Sequence, residues 1–146
     1  MTSRVTEIPA APCGEVHAYY AHRLNRETDC HDVYESMKAD KMDFVLVDVR
    51  SEEKYRDAHV PGAIHMLVGK MTRSRLEAWA EDTLFVVYCA GPHCNGTDKA
   101  ALRLSELGRK VKVMIGGMTG WADEGYAYAR GAEQGSVAGA DAVAAL

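Results

Sequence analysis

Four cysteines stand at positions 13, 30, 89 and 94, and two of them share one short stretch, Tyr88-Cys89-Ala90-Gly91-Pro92-His93-Cys94-Asn95-Gly96-Thr97. A thiol attacks as its thiolate, and a free cysteine, with a pKa of about 8.5, needs help to ionise at neutral pH. The run Leu84 to Tyr88 is apolar, β-branched and aromatic and reads as a buried strand, while from about Thr97 the pattern becomes helical. Cys89 is thereby placed between the carboxyl end of a strand and the first turn of a helix. Unpaired amides and the helix dipole there favour an anion such as a thiolate or persulfide. Gly91 and Gly96 let the loop curl with its amides turned inward, and Pro92 removes one donor from that nest. Cys89 is therefore the candidate nucleophile, and Ala90, Gly91, Pro92, His93, Cys94 and Asn95 are the candidate groups around its substrate. The competing reading of Cys89 is a core cysteine at a strand end.

The elements that must hold this loop follow from the pattern on either side. Phe44 to Val49 reads as a second buried strand, and Ser51 can cap a short helix through Tyr55 and Arg56 that stops at His59-Val60-Pro61-Gly62. A brief strand is expected near 63–66 and a longer helix over 73–80. Ala100, Leu104 and Leu107 share one face of the helix after the loop, Gly108 ends it, and Val111 to Ile115 is a further strand closed by the Gly116-Gly117 turn. Upstream, Glu15 to Leu24 reads as an amphipathic helix, and Thr28 or Asp29 caps another running to about Ala39. Strands alternating with helices predict an α/β fold with a mostly parallel sheet and helices on both faces. We expect one domain over 15–130, an N-terminal tail over 1–14, and a small-residue tail or weakly docked helix over 131–146.

Composition narrows the partners. With 17 Lys+Arg against 21 Asp+Glu, the net charge of -4 provides no basic field to draw the chain onto nucleic acid. No stretch approaches a membrane span and the first twelve residues carry no signal-peptide core, so the expected setting is the cytoplasm. In that setting all four cysteines are expected as thiols, since their spacing fits neither a disulfide framework nor paired zinc knuckles. A zinc site from Cys89, His93 and Cys94 lacks a fourth ligand, and no metal or cofactor is expected. A cysteine-dependent phosphatase needs an arginine at the loop's end to grip phosphoryl oxygens, and no Lys or Arg occurs between Cys89 and Thr97.

Three blocks resemble the rhodanese-like domain family. Asp48-Val49-Arg50 with Glu53, Tyr55 and His59-Val60-Pro61-Gly62-Ala63 is similar to its first block. Tyr88-Cys89 with the glycine-containing loop is similar to its active-site block, and Gly116-Gly117-Met118-Thr119-Gly120-Trp121 to its closing motif. The resemblance, spanning about 43–125, implies a five-stranded, mostly parallel α/β sheet and a sulfurtransferase cycle. A sulfane sulfur donor such as thiosulfate or a low-molecular-weight persulfide would leave its outer sulfur on Cys89, and a thiol or cyanide would remove it. Ala90 to Cys94 would hold the persulfide, with Asp48 and Arg50 as a scaffold able to brace the loop through charge-assisted hydrogen bonds. The alternative is a non-catalytic rhodanese-like interaction or regulatory module, in which the fold is a binding scaffold.

One departure bears on the chemistry. Many catalytic members carry a cation five residues after the cysteine, and here that place is Cys94. Thiosulfate binding is then expected to be weak, with protonated His93 as a partial substitute for the charge. A second thiol on a curled loop could also attack a Cys89 persulfide and release sulfide, provided the Cα atoms come within about 7 Å. The N-terminal helix could dock on its own core or on a second copy, as a homodimer.

Overall fold

The computed structural model describes residues 1–137. The strands are β1 (Glu27–Thr28), β2 (Val45–Asp48), β3 (Ile64–His65), β4 (Leu84–Tyr88) and β5 (Lys110–Met114). They form one sheet in the order β1-β5-β4-β2-β3, and every pairing is parallel rather than mostly so. The helices are α1 (Cys13–Leu24), α2 (Cys30–Lys38), α3 (Glu52–Asp57), α4 (Arg73–Leu76), α5 (Gly96–Glu106) and α6 (Gly117–Asp123).

Side chains alternate across the sheet, and each face has its own core. Leu46, Val86, Tyr88 and Met114 pack with Val33 of α2, Tyr55 of α3 and Trp121 of α6 on one face. Val47, Phe85, Val87 and Cys89 pack with Leu76 of α4 and with Ala100 and Leu104 of α5 on the other. Burying each such Leu, Val or Phe contributes about 1.5–3 kcal/mol, so two-sided burial favours the continuous apolar runs of β2 and β4. The chain leaves β2 toward α3 on the first face and leaves β4 toward α5 on the second. Since β2 and β4 are neighbours, their diverging loops open a crevice at the carboxyl edge, where open parallel sheets bind ligands.

Two local outcomes differ from the sequence expectations, and a third concerns the C-terminal stretch. The helix from Arg73 stops at Leu76, and the carbonyls of Leu76, Trp79 and Ala80 are taken by the Arg109 guanidinium at 2.9, 3.2 and 2.6 Å. Gly116-Gly117 does not merely close a strand: it opens α6, with positive φ of 89° and 56° at the two glycines. Residues 131–137 form no helix, and the Glu133 and Gln134 carbonyls meet the buried His59 Nε2 at 2.9 and 3.2 Å. The part of the expected tail over 138–146 lies outside the described residues.

Candidate active site

Cys89 follows the last residue of β4 and is 6% exposed, and its side chain belongs to the core beneath α5. Its main chain is held from behind. The Cys89 carbonyl accepts from Met118 N at 3.1 Å and the Ala90 carbonyl from Thr119 N at 2.9 Å, both in the first turn of α6. The Thr119 hydroxyl adds a bond to the Ala90 carbonyl at 3.1 Å. This approach requires glycine at 117, because a Cβ there would collide with the Cys89 carbonyl. These contacts come from the closing glycine block, whose role in seating the loop was not legible in the sequence; its two consecutive glycines were the available signal.

The loop then turns back on itself. Cys94 N donates to the Gly91 carbonyl at 3.0 Å, so that amide is spent inside the loop. The Gly96 amide lies 3.4 Å from the Cys94 sulfur. A Cβ on Gly96 would stand 3.0 Å from the Cys89 sulfur and 3.3 Å from that of Cys94, so the absent side chain is what admits both sulfurs to the start of α5. The amides of Ala90, Gly91, His93 and Asn95 have no acceptor among the described residues, whereas Pro92 has no amide proton to offer. Contrary to the expectation of four free thiols, Cys89 and Cys94 are paired as a disulfide, with Cα atoms 6.4 Å apart. Cys13 is free and exposed, and Cys30 is free and buried. Burial, helped by the charges of Asp29 and Glu124, pushes the Cys30 thiol up to about 12.

Asp48 ends β2 and Arg50 follows it, across the crevice. Asp48 is fully buried, and Arg50 grips its carboxylate at 3.1 and 2.7 Å. Burial works against the Arg50 charge, and the hydrogen bonds and charge of Asp48 outweigh it, holding the guanidinium above its ordinary value. The expected bracing of the cysteine loop takes another form, because Arg50 spends its remaining bonds on the Ala58 and Lys54 carbonyls around α3. The link to β4 runs instead through Tyr88, which is register-paired with Asp48 and donates to its carboxylate at 2.8 Å. The same hydroxyl accepts from Val60 N at 3.0 Å. Burial first, and then the Asp48 charge, hold the Tyr88 phenol well above 10. In the sequence Tyr88 reads as the end of an apolar strand beside Cys89, with no sign of its link to Asp48, although a buried tyrosine hydroxyl normally demands a partner.

Two clefts of opposite polarity flank the cysteine pair. One, of about 480 Å³, is bordered by Cys89, Ala90, His93, Cys94 and Asn95 and by the cations Arg50 and Lys54. Lys54 is exposed and makes no salt bridge among the described residues. The other, of about 570 Å³, reaches Cys89 and Cys94 past Cys30 and carries Glu27, Asp29, Asp98 and Glu124 with no Lys or Arg in its lining. Of those four acids, Glu27 is paired with Arg23 at 2.7 Å. No group of three or more metal-ligating His, Cys, Asp or Glu side chains occurs among the described residues, and no described helix is long and apolar enough to cross a membrane.

Comparisons with known proteins bear on the fold and the family. The crystal structure of the BH2092 protein from Bacillus halodurans superposes with a TM-score of 0.78 at 32% identity, covering 83% of this chain and 88% of that one. The thiosulfate sulfurtransferase GlpE of Coxiella burnetii is 32% identical over 82 residues, 56% of this chain and 74% of GlpE. The HTH-type transcriptional regulator Rv0324 of Mycobacterium tuberculosis is 36% identical over 90 residues, 62% of this chain, but the match spans only 39% of the regulator's length. The rhodanese-like domain model matches residues 29–124, from the cap of α2 to the end of α6, and the chain belongs to that family.

Proposed function

We propose that this domain is a sulfurtransferase that carries sulfane sulfur as a persulfide on Cys89. The observation that carries the reading is the place of Cys89: it follows the central strand at the crevice, before the N-terminus of an 11-residue helix, on a loop with four unspent amides. With the Cys89–Cys94 bond reduced, helix and loop favour the thiolate over the thiol. The thiolate attacks the outer sulfur of a donor. The S–S bond of the donor breaks, its electron pair leaves on sulfite or on a thiolate, and Cys89 keeps the sulfur. A thiol or cyanide then attacks that outer sulfur and returns Cys89 as thiolate. Atoms and electrons balance within the two half-reactions, and no cofactor is needed.

Charge directs the donor. Thiosulfate and glutathione persulfide are anions, and they are suited to the cleft of Arg50 and Lys54 rather than to the one bearing four carboxylates. Arg50 is already neutralised by Asp48, so Lys54 is the free cation that stands in for the one missing from the loop. Operation in a reducing cytoplasm fits a cycle that starts from free thiols.

A second reading, a non-catalytic or regulatory module, is favoured by the partial match to a transcriptional regulator. One experiment separates the two. Reduced wild type and Cys89→Ser are incubated with thiosulfate or glutathione persulfide, desalted and weighed by intact-mass spectrometry. The expected result is a gain of about one sulfur atom on the wild type only. No gain with either donor would leave the binding-module reading standing.

A further inference from the structure

Cys94 occupies the position where a loop cation would be expected, and no step of the transfer cycle above uses it. It is a built feature of the site. The Cα separation of 6.4 Å lies within the range that a disulfide spans without backbone movement, roughly 4.4–6.8 Å. The glycine at 96 leaves room for both sulfurs, and the Gly96 amide faces the Cys94 sulfur at 3.4 Å. That donor, at the N-terminus of α5, favours the Cys94 thiolate just as the loop favours that of Cys89. Cys94 is also only partly buried, so a reductant can reach the pair.

We propose that Cys94 is a resolving thiol that makes this domain a persulfide reductase, releasing the carried sulfur as sulfide. The proposal rests on the Cys89 persulfide reading. The Cys94 thiolate attacks the inner sulfur of the Cys89 persulfide, the sulfur to which it is bonded in the structure. The Cys89–Cys94 bond forms and the bond between the Cys89 sulfur and the sulfane sulfur breaks. The electron pair leaves with the outer atom as hydrosulfide, which keeps the proton given up by Cys94. The sulfane sulfur is reduced by two electrons, and each cysteine sulfur is oxidised by one. A dithiol reductant then restores both thiols by exchange at the partly exposed Cys94, itself ending as a disulfide. Among external acceptors, cyanide competes with Cys94 for the same persulfide, so the domain divides its sulfur between transfer and release.

The test uses the full chain, reduced and freed of thiol, as wild type, Cys94→Ser and Cys89→Ser. Each is given one equivalent of inorganic polysulfide with no added acceptor. Sulfide is trapped by alkylation, and the protein is weighed and peptide-mapped. The expected outcome is stoichiometric sulfide from the wild type together with a Cys89–Cys94 disulfide, while Cys94→Ser stops at the persulfide and releases sulfide about tenfold more slowly or less. A wild type that keeps its persulfide as long as Cys94→Ser does, without forming the disulfide, overturns this inference and leaves the transfer reading intact. Absence of sulfur uptake by both wild type and Cys94→Ser overturns both.

Discussion

The phenol of Tyr88 reaches from β4 to the Asp48 carboxylate and also receives the Val60 amide, so one buried hydroxyl joins the two strand ends that frame the crevice. Removing it leaves a fully buried carboxylate oxygen and a main-chain amide short of a partner. Tyr88→Phe is expected to cost about 1–3 kcal/mol in urea unfolding, the penalty of orphaning buried polar groups. Sulfur loading of Cys89 should survive in the folded fraction, because the cysteine's main chain is fixed separately by Met118 and Thr119. Unchanged stability would mean that the Asp48–Arg50 pair alone ties this corner together. Losing Arg50 should be harsher: it would strand the Asp48 charge in the interior, where breaking such a pair typically costs about 3–5 kcal/mol.

Among the elements, legibility in the sequence followed how local the cause was. β4 could be read to the residue from its apolar run, the cap of α3 from Ser51, and that of α2 to within one residue, Thr28 or Asp29; the side chains of Asp29 and Ser51 accept from Asp32 N and Lys54 N. β1 is two polar residues that qualify as a strand only by pairing with Val113 and Met114, some 85 positions away. The residues after α4 give their carbonyls to Arg109, which lies about thirty positions further along the chain. Within the site, Cys89 and its loop were legible because strand, glycine and helix signals are contiguous. The Tyr88 link and the seat provided by α6 were not, since both are contacts between distant segments. α1 was expected from its pattern and is present, yet it buries no residue and leaves Tyr19, Tyr20 and Leu24 exposed. Deleting residues 1–24 should therefore shift the melting temperature by less than about 3 °C, a change below 1 kcal/mol for a domain of this size. A larger drop in scanning calorimetry would show that α1 is covered in solution, by its own core or by a second copy.

Over the whole molecule, the net charge of -4 is distributed unevenly around the site, with carboxylates on one side of the cysteine pair and Lys54 on the other. On the proposed sulfur-transfer reading, an anionic donor would be favoured on the Lys54 side of the pair and disfavoured on the carboxylate side. Lys54→Ala is expected to raise KM for thiosulfate about two- to fivefold with kcat little changed, because an exposed ion contact is worth at most about 1 kcal/mol. Raising the ionic strength should shrink that difference as the lysine is screened. An equal fall in kcat would instead place the lysine in the chemical step. The way the loop is anchored has a consequence for change over generations. The Cys89 and Ala90 carbonyls are clasped by main-chain amides, so the backbone holds the sulfur in place whichever side chains occupy 92, 93 and 95. Those positions form an exchangeable cassette on a fixed mount: a lineage, or an engineer, can introduce a cation, an aromatic ring or a second thiol there and change what meets the Cys89 sulfur without refolding the domain that holds it.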